Sequence, residues 1–268
     1  MNILVCIKQV PDTNEIKIDP VTNTLIRAGV PSIVNPFDGY ALEAAARIKD
    51  NDPDTKIVVM SMGPAQAEDA LRECLAIAAD KAYLVTDRAF GGSDTLATSY
   101  ILKSAIEYVE SWEGKFDLIF CGKQATDGDT AQVGPEIAEH LGYSQITYAL
   151  EVQQASAEGI QVLREADDCN QVIASDCPCV VTFTKPSFDP RFPTIKRKMA
   201  ARKATINQIT AGDIPGIDLT RAGLKGSPTK VKTSFVPPRK EGGVMIQAET
   251  PEEIAAKLFE SLNGVHVI

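Results

Sequence analysis

Leu118-Ile119-Phe120-Cys121-Gly122-Lys123-Gln124-Ala125-Thr126-Asp127-Gly128-Asp129-Thr130-Ala131-Gln132-Val133-Gly134-Pro135 runs from an apolar segment through a loop of small and polar residues to a proline. A continuous apolar run such as Leu118 to Cys121 suits a strand covered on both faces. Gly122 and Gly128 permit positive φ and close backbone approach. Asp127, Asp129 and Thr130 are helix-capping types. A helix begun at Thr130 would enclose Pro135, losing a hydrogen bond and clashing one turn back. The spacing therefore predicts a helix from Gly134-Pro135, preceded by a separate turn across Asp129 to Val133. Free amides in such a turn and at the helix start bind phosphate. The two aspartates would repel phosphate if aimed at it, and they fit better on backbone amides or ribose hydroxyls. A capped connection without any ligand stays open.

Three further apolar runs lie upstream, Ile3 to Ile7, Ile57 to Met62 and Lys81 to Thr86. Helix patterns start near Phe37, Ala65, Asp94 and Gly134, and Asn35-Pro36 supplies a cap and first-turn pair for the first. Fully apolar strands alternating with helices predict a doubly wound, mostly parallel sheet. Pro11 to Val34 breaks the pattern. There Ile16-Lys17-Ile18 and Leu25-Ile26 flank Thr22-Asn23-Thr24, as in a hairpin excursion. After Tyr143, short runs at Ile146 to Val152, Ile160 to Glu165, Gln171 to Ala174 and Cys179 to Phe183 suggest an antiparallel extension. Residues 1–209 are expected to form one α/β domain. Thr210 to Lys240 lacks a core pattern and reads as a linker or as an arm that packs on something else. It precedes a helix with Thr250 as cap, Pro251 first and Glu253 closing a capping box. That helix docks on a partner chain or packs on its own domain.

Four loops fall at the carboxyl ends of the strands, where doubly wound sheets collect ligands. They are Lys8-Gln9-Val10, Gly63-Pro64, Gly91 to Thr95, and Gly122 to Gly134. Thr95 and Thr98 lie three apart on the helix opened by Asp94 or Ser93, so both hydroxyls share a face. They could donate to phosphate or flavin oxygens; a plain capped helix with two half-exposed threonines is the simpler alternative. The chain has net charge −9 and a pI of about 4.9, which argues against nucleic acid as a main partner. No apolar run reaches the length of a membrane span, and the start carries no signal-like segment, so a cytoplasmic protein is expected. Six scattered cysteines without CxxC and only two histidines leave no metal site in view. There is no GxGxxG, Walker lysine loop or GxSxG elbow. A nucleotide site without catalytic residues suggests that a bound cofactor carries the chemistry.

Asn35-Pro36-Phe37-Asp38, Ser61-Met62-Gly63-Pro64-Ala65-Gln66, Gly122-Lys123-Gln124-Ala125 with Asp127 to Gln132, and Pro178-Cys179-Val180-Val181-Thr182 resemble the electron-transfer flavoprotein β-subunit family. The resemblance implies a flavodoxin-like core and a heterodimer with a larger α subunit, embraced by the arm of residues 210–268. The family's nucleotide contacts carry over to Cys6, to Asn35, Pro36, Phe37 and Asp38, and to Met62 with the adjoining Gly63. They continue through Gly122, Lys123, Gln124, Ala125, Thr126, Asp127, Gly128, Asp129, Thr130, Ala131, Gln132 and Val133. A recognition loop at about 185–203 would dock into dehydrogenases, with Ile195 at the aliphatic anchor. Of the lysine pair methylated in mitochondrial members, the matching positions are Ala200 and Lys203. Asp127 to Pro135 and Gly91 to Ser99 resemble the electron-bifurcating group. Its β subunit holds FAD, accepts hydride from NADH, and sends electrons to ferredoxin or flavodoxin and, through α-subunit FAD, to a dehydrogenase of the acyl-CoA type. Thr95 and Thr98 would then contact the flavin portion. Conventional members hold AMP instead. An ATP-dependent ligase fits less well because the first strand leads to Lys8-Gln9-Val10-Pro11 rather than to a Ser-Gly-Gly loop, and a nucleotide-binding stress-type protein leaves the long arm and the Ile195 loop unexplained.

Overall fold

The computed structural model describes residues 1–12, 31–233 and 242–268. These fall into two units, 1–12 with 31–232, and 233 with 242–268. In the larger unit the elements are β1 (Asn2–Cys6), β2 (Gln9–Pro11), β3 (Ser32–Val34), α1 (Pro36–Asn51), β4 (Lys56–Met62), α2 (Glu68–Ile77), β5 (Lys81–Val85), α3 (Thr95–Glu113), β6 (Leu118–Gly122) and α4 (Val133–Leu141). Then follow β7 (Ser144–Ala155), β8 (Gly159–Glu165), β9 (Asn170–Asp176), β10 (Cys179–Phe183), α5 (Ile195–Lys203), β11 (Asn207–Ile209) and α6 (Gly223–Gly226). The smaller unit holds α7 (Pro251–Gly264), preceded by residues 242–250 without helix or strand.

Nine strands form one sheet in the order β11-β5-β4-β1-β6-β10-β7-β8-β9. β11 through β7 run parallel, and β8 and β9 add antiparallel strands at the far edge. This is the flavodoxin-like, doubly wound α/β fold with an antiparallel extension. The chain winds outward from β1 to β4 and β5, then returns to β6 on the other side, so the order reverses between β1 and β6. α1 and α2 cover one face with Ala41, Leu42, Ala70 and Leu71. α3 and α4 cover the other with Ile101, Ile106, Ile137 and Ala138. Both faces of β1, β4 and β6 are therefore dry, which is why their sequences are apolar without alternation. Phe120 and Phe183 meet edge-on at 4.8 Å within this core; truncating either to alanine costs about 3–5 kcal/mol.

Three expectations need correction. β10 is parallel and lies between β6 and β7, so only the β7–β9 meander is antiparallel. A helix, α5, occupies 195–203, where the sequence suggested only a loop. Residues beyond 209 are not all arm, since Ile214 and Ala222 are buried in the core. β2 and β3 pair antiparallel at the base of the expected excursion; Ile16-Lys17-Ile18, Thr22-Asn23-Thr24 and Leu25-Ile26 lie outside the described residues. In α7 the hydroxyl of Thr250 accepts from Glu253 N at 3.2 Å, and Glu253 Oε2 accepts from Glu249 N at 3.2 Å, a capping-box exchange shifted by one residue.

Candidate functional site

The reversal between β1 and β6 opens a crevice at their carboxyl ends, where doubly wound folds bind ligands. Asp38 spans it. Its carboxylate is buried and accepts from Lys8 N, just past β1, at 2.6 Å and from Gly122 N, at the end of β6, at 3.0 Å. Burial pushes this carboxyl up to about 7 against the pull of those two amides. Close approach demands a glycine at 122, because a Cβ there would sit 2.3 Å from Asp38 Oδ1 and 2.7 Å from Phe37 Cβ. Asp38 is thus a brace between two strand ends, with both oxygens already engaged.

Asn35 is the α1 cap by position, yet its side chain makes no cap bond. Its amide donates to Gln124 O at 2.8 Å and its carbonyl accepts from Thr126 N at 3.2 Å. The start of α1 therefore holds the loop after β6. That loop turns at Thr126 to Gly128, closed by Gly128 N and Asp129 N donating to Ala125 O. The turn lies earlier than the expected Asp129 to Val133, and α4 starts at Val133 with Pro135 tolerated in its first turn. Gly128 has no positive φ; the left-handed residues are Asp129 (52°) and Ala131 (54°). For alanine this conformation costs about 1–2 kcal/mol, the sort of strain concentrated at binding sites.

The two aspartates are engaged locally, one by a cation and one by an uncharged amide. Asp127 pairs with Lys8 Nζ at 2.6 Å and Asp129 accepts from Gln124 Nε2 at 2.7 Å. Among the described residues, the backbone amides of Thr130, Ala131, Gln132 and Val133 have no acceptor. A run of free N–H groups at a helix start is an anion cradle.

Thr95 joins this loop to α3. Its hydroxyl lies 3.0 Å from Gln132 Oε1 and 3.2 Å from Glu136 Oε1, while Asp94 caps α3 by accepting from Ala97 N. Thr98 is half-buried, and its hydroxyl makes no hydrogen bond among the described residues. Met62, which ends β4, and the following Gly63 line a cavity of about 130 Å³ with Lys8, Ser61, Gln66 and Asp127. Ser61 is 1% exposed and its hydroxyl has no partner. Lys8 was expected only as part of a strand-end loop, and Ser61 was not expected as a site residue. A serine in the run Ile57-Val58-Val59-Met60-Ser61-Met62 was the available signal. Cys6 is half-buried at the end of β1, and a hydrogen bond with it, together with burial, pushes the Cys121 thiol up.

The expected docking segment is separate from the crevice. Arg191 forks onto Glu43 and Asp50, which pins the segment. Phe192 and Ile195 stay 92% and 81% exposed. α5 adds Lys196, Arg197, Lys198, Arg202 and Lys203 on this otherwise acidic chain.

Residues 22–214 match the electron transfer flavoprotein domain. The chain is 51% identical to the electron transfer flavoprotein subunit beta of Megasphaera elsdenii over 272 aligned residues, covering all of both chains. It is 49% identical to the caffeyl-CoA reductase-Etf complex subunit CarD of Acetobacterium woodii, again over all of both. It is 43% identical to Protein FixA of Bradyrhizobium diazoefficiens, covering 98% of this chain and 91% of that one. The chain is an electron transfer flavoprotein β subunit. Such β subunits partner with an α subunit and bind flavin or nucleotide cofactors. The crevice suits a nucleotide: free amides for a phosphate, an unpaired buried hydroxyl, and strand ends bridged by Asp38. No helix among the described residues is long and apolar enough to cross a membrane.

Proposed function

We propose that this electron transfer flavoprotein β subunit binds FAD, which accepts a hydride from NADH and passes electrons to ferredoxin or flavodoxin and, through FAD on the α subunit, to a dehydrogenase of the acyl-CoA type. The amides of Thr130 to Val133 hold the phosphates. Ser61, Met62 and Gly63, with Cys6 close by, receive the adenylate half. The observation that carries the FAD reading is the Thr95–Gln132 bond, which sets the start of α3 beside the phosphate loop and lengthens the site beyond an adenylate. The name of the Acetobacterium woodii relative, a subunit of a reductase–Etf complex, supports a reductase partner of the acyl-CoA kind.

AMP is the second reading. The Thr95 hydroxyl is already engaged with Gln132 and Glu136, and the cavity at the end of β4 is only about 130 Å³. The αβ complex purified from its source and acid-precipitated should release two FAD per heterodimer. One FAD and one AMP would replace the first reading by the second.

Partner contacts follow from exposed apolar side chains. Ile254, Leu258 and Phe259 of α7 are exposed, as suits a helix that packs on the α subunit. Ile195, presented at the start of a basic helix, anchors the dehydrogenase. Ile195→Asp should slow electron delivery to that dehydrogenase at least tenfold while NADH reduction of the complex is unchanged; equal effects on both would remove the anchor role.

A further inference from the structure

A second cavity, of about 350 Å³, lies between α3 and residues 219–228. Leu96, Tyr100 and Pro228 give it apolar walls, and Arg221 and Lys225 line it with positive charge. The Arg221 guanidinium carbon lies over the Tyr100 ring, 3.9 Å from its centre. Neither cation makes an ion pair among the described residues. That is unusual on a chain of net charge −9.

The loop bearing these cations is clamped. Ser227 is buried; its hydroxyl donates to Gly223 O and accepts from Asp94 N, both at 2.8 Å. Gly223 has φ of 63°, and a Cβ there would fall 2.3 Å from Ala89 O. The nearby carboxylates are already used. Asp94 accepts from Ala97 N and from the amide and hydroxyl of Thr229. Asp218 accepts from the amide and hydroxyl of Thr220. A rigid loop has thus spent its acids on itself and turned two unpaired cations toward a half-apolar cavity. Cavities that hold small organic ligands start at about 300 Å³, so this one is sized for more than an inorganic ion.

We propose that this cavity binds a nucleoside phosphate, with Arg221 and Lys225 as phosphate ligands and Leu96, Tyr100 and Pro228 against the nucleoside. Planar guanidinium forks suit phosphate oxygens, and the apolar wall selects against a bare anion. The ligand is distinct from the nucleotide in the β1–β6 crevice. Its phosphate group can come from a free nucleotide or from a dinucleotide; only the latter source touches the NADH reading above.

The test uses the αβ complex with its own nucleotides in place, and equilibrium dialysis against ADP, NAD⁺ and inorganic pyrophosphate. ADP, NAD⁺ or both should bind as one further equivalent. Arg221→Met and Lys225→Met should each weaken that binding at least fivefold, and Lys103→Met, a cation of α3 outside the cavity, should not. Retained cofactor content and an unchanged melting temperature show that the variants are folded. ADP binding alone identifies a free nucleotide, and NAD⁺ alone a dinucleotide. The proposal falls if no further equivalent binds, if both substitutions leave binding unchanged, or if pyrophosphate binds as tightly as the nucleotides. An unsubstituted complex that oxidises no NADH yet binds ADP would overturn the hydride-donor reading and leave this one standing.

Discussion

The two ends of the parallel sheet treat their buried carboxylates in opposite ways. At the amino end, Glu113 receives Lys56, Lys81 and the hydroxyl of Tyr83, and Trp112 Nε1 donates in turn to Tyr83 at 3.1 Å. At the carboxyl end, both oxygens of Asp38 accept from backbone amides but no cation pairs with it among the described residues, and the Ser61 hydroxyl has no partner. Charge meets charge at the amino end, whereas at the carboxyl end, where the nucleotide is proposed to bind, a buried carboxyl has no cation and a buried hydroxyl no partner among the described residues. The difference separates stability from binding, and it can be attacked from either end.

The largest effect should come from Glu113→Ala. It removes the shared acceptor of two lysines and a tyrosine; the lysines are 30% and 48% exposed and can turn to water, so the cost is about 1–3 kcal/mol. The urea midpoint should fall accordingly, with nucleotide content preserved in the protein that remains folded. Loss of nucleotide at low urea would break the separation. The pH dependence adds a sign. Burial pushes the Glu113 carboxyl up, but hydrogen bonds from Lys56, Lys81 and Tyr83 overcome this and hold it at about 2, below its ordinary 4.5. Its stabilisation is complete above pH 4.5 and lost as pH falls through about 2. Asp38 runs the other way: raised by burial from 3.8 to about 7, it favours the fold below 3.8 and loses that contribution as pH rises through about 7. Urea midpoints measured across this range should lose their acid limb in Glu113→Gln and keep their neutral limb.

Gly122→Ala comes next. The added methyl meets Asp38 and Phe37 at 2.3 and 2.7 Å, so β6 and α1 must part. Overpacking of this kind costs about 1–3 kcal/mol, and here it acts at the crevice. Nucleotide content per complex should drop severalfold, out of proportion to the loss of stability. A variant that keeps its full nucleotide would detach the Asp38 brace from binding.

Ser61→Ala should separate the two quantities most cleanly. A buried hydroxyl without a partner contributes nothing to the fold, and its removal is neutral or stabilising by up to about 1 kcal/mol. If the hydroxyl meets the nucleotide, affinity falls about tenfold in the same variant. Unchanged affinity by calorimetry on nucleotide-stripped complex would take Ser61 out of the site.

What could be read in the sequence follows the same division. The parallel strands were legible because burial on both faces makes them apolar throughout, and their bounds at β4, β5 and β6 agree within a residue or two. The position of β10 was not, since strand order depends on pairing between distant segments. α5 escaped because Ile195-Lys196-Arg197-Lys198-Met199-Ala200-Ala201-Arg202-Lys203 has helix-forming residues but no apolar stripe to set a period. At the crevice, the loop was found but its conformation was misjudged. Glycine marks where positive φ is cheap, not where it occurs, and the fold placed it at Asp129 and Ala131. Asn35 looked like a cap because capping residues are also good loop clamps; only its distance from Gln124 and Thr126 distinguishes the two.

The smallest predicted effect belongs to Thr95→Val. It keeps the shape of the first turn of α3 and removes the hydroxyl shared by Gln132 and Glu136. Glu136 already has one buried oxygen without a partner, so the other would lose its only donor among the described residues and α4 would be held to α3 by packing alone. A neutral hydrogen bond contributes about 1 kcal/mol, equivalent to a fivefold change in binding. If the site extends past the adenylate to Thr95, FAD affinity should weaken by about that factor while AMP affinity stays the same. Equal weakening of both nucleotides would mean that Thr95 acts only by steadying the loop of Thr130 to Val133. No change in either would confine the binding end of the molecule to β1, β4 and β6.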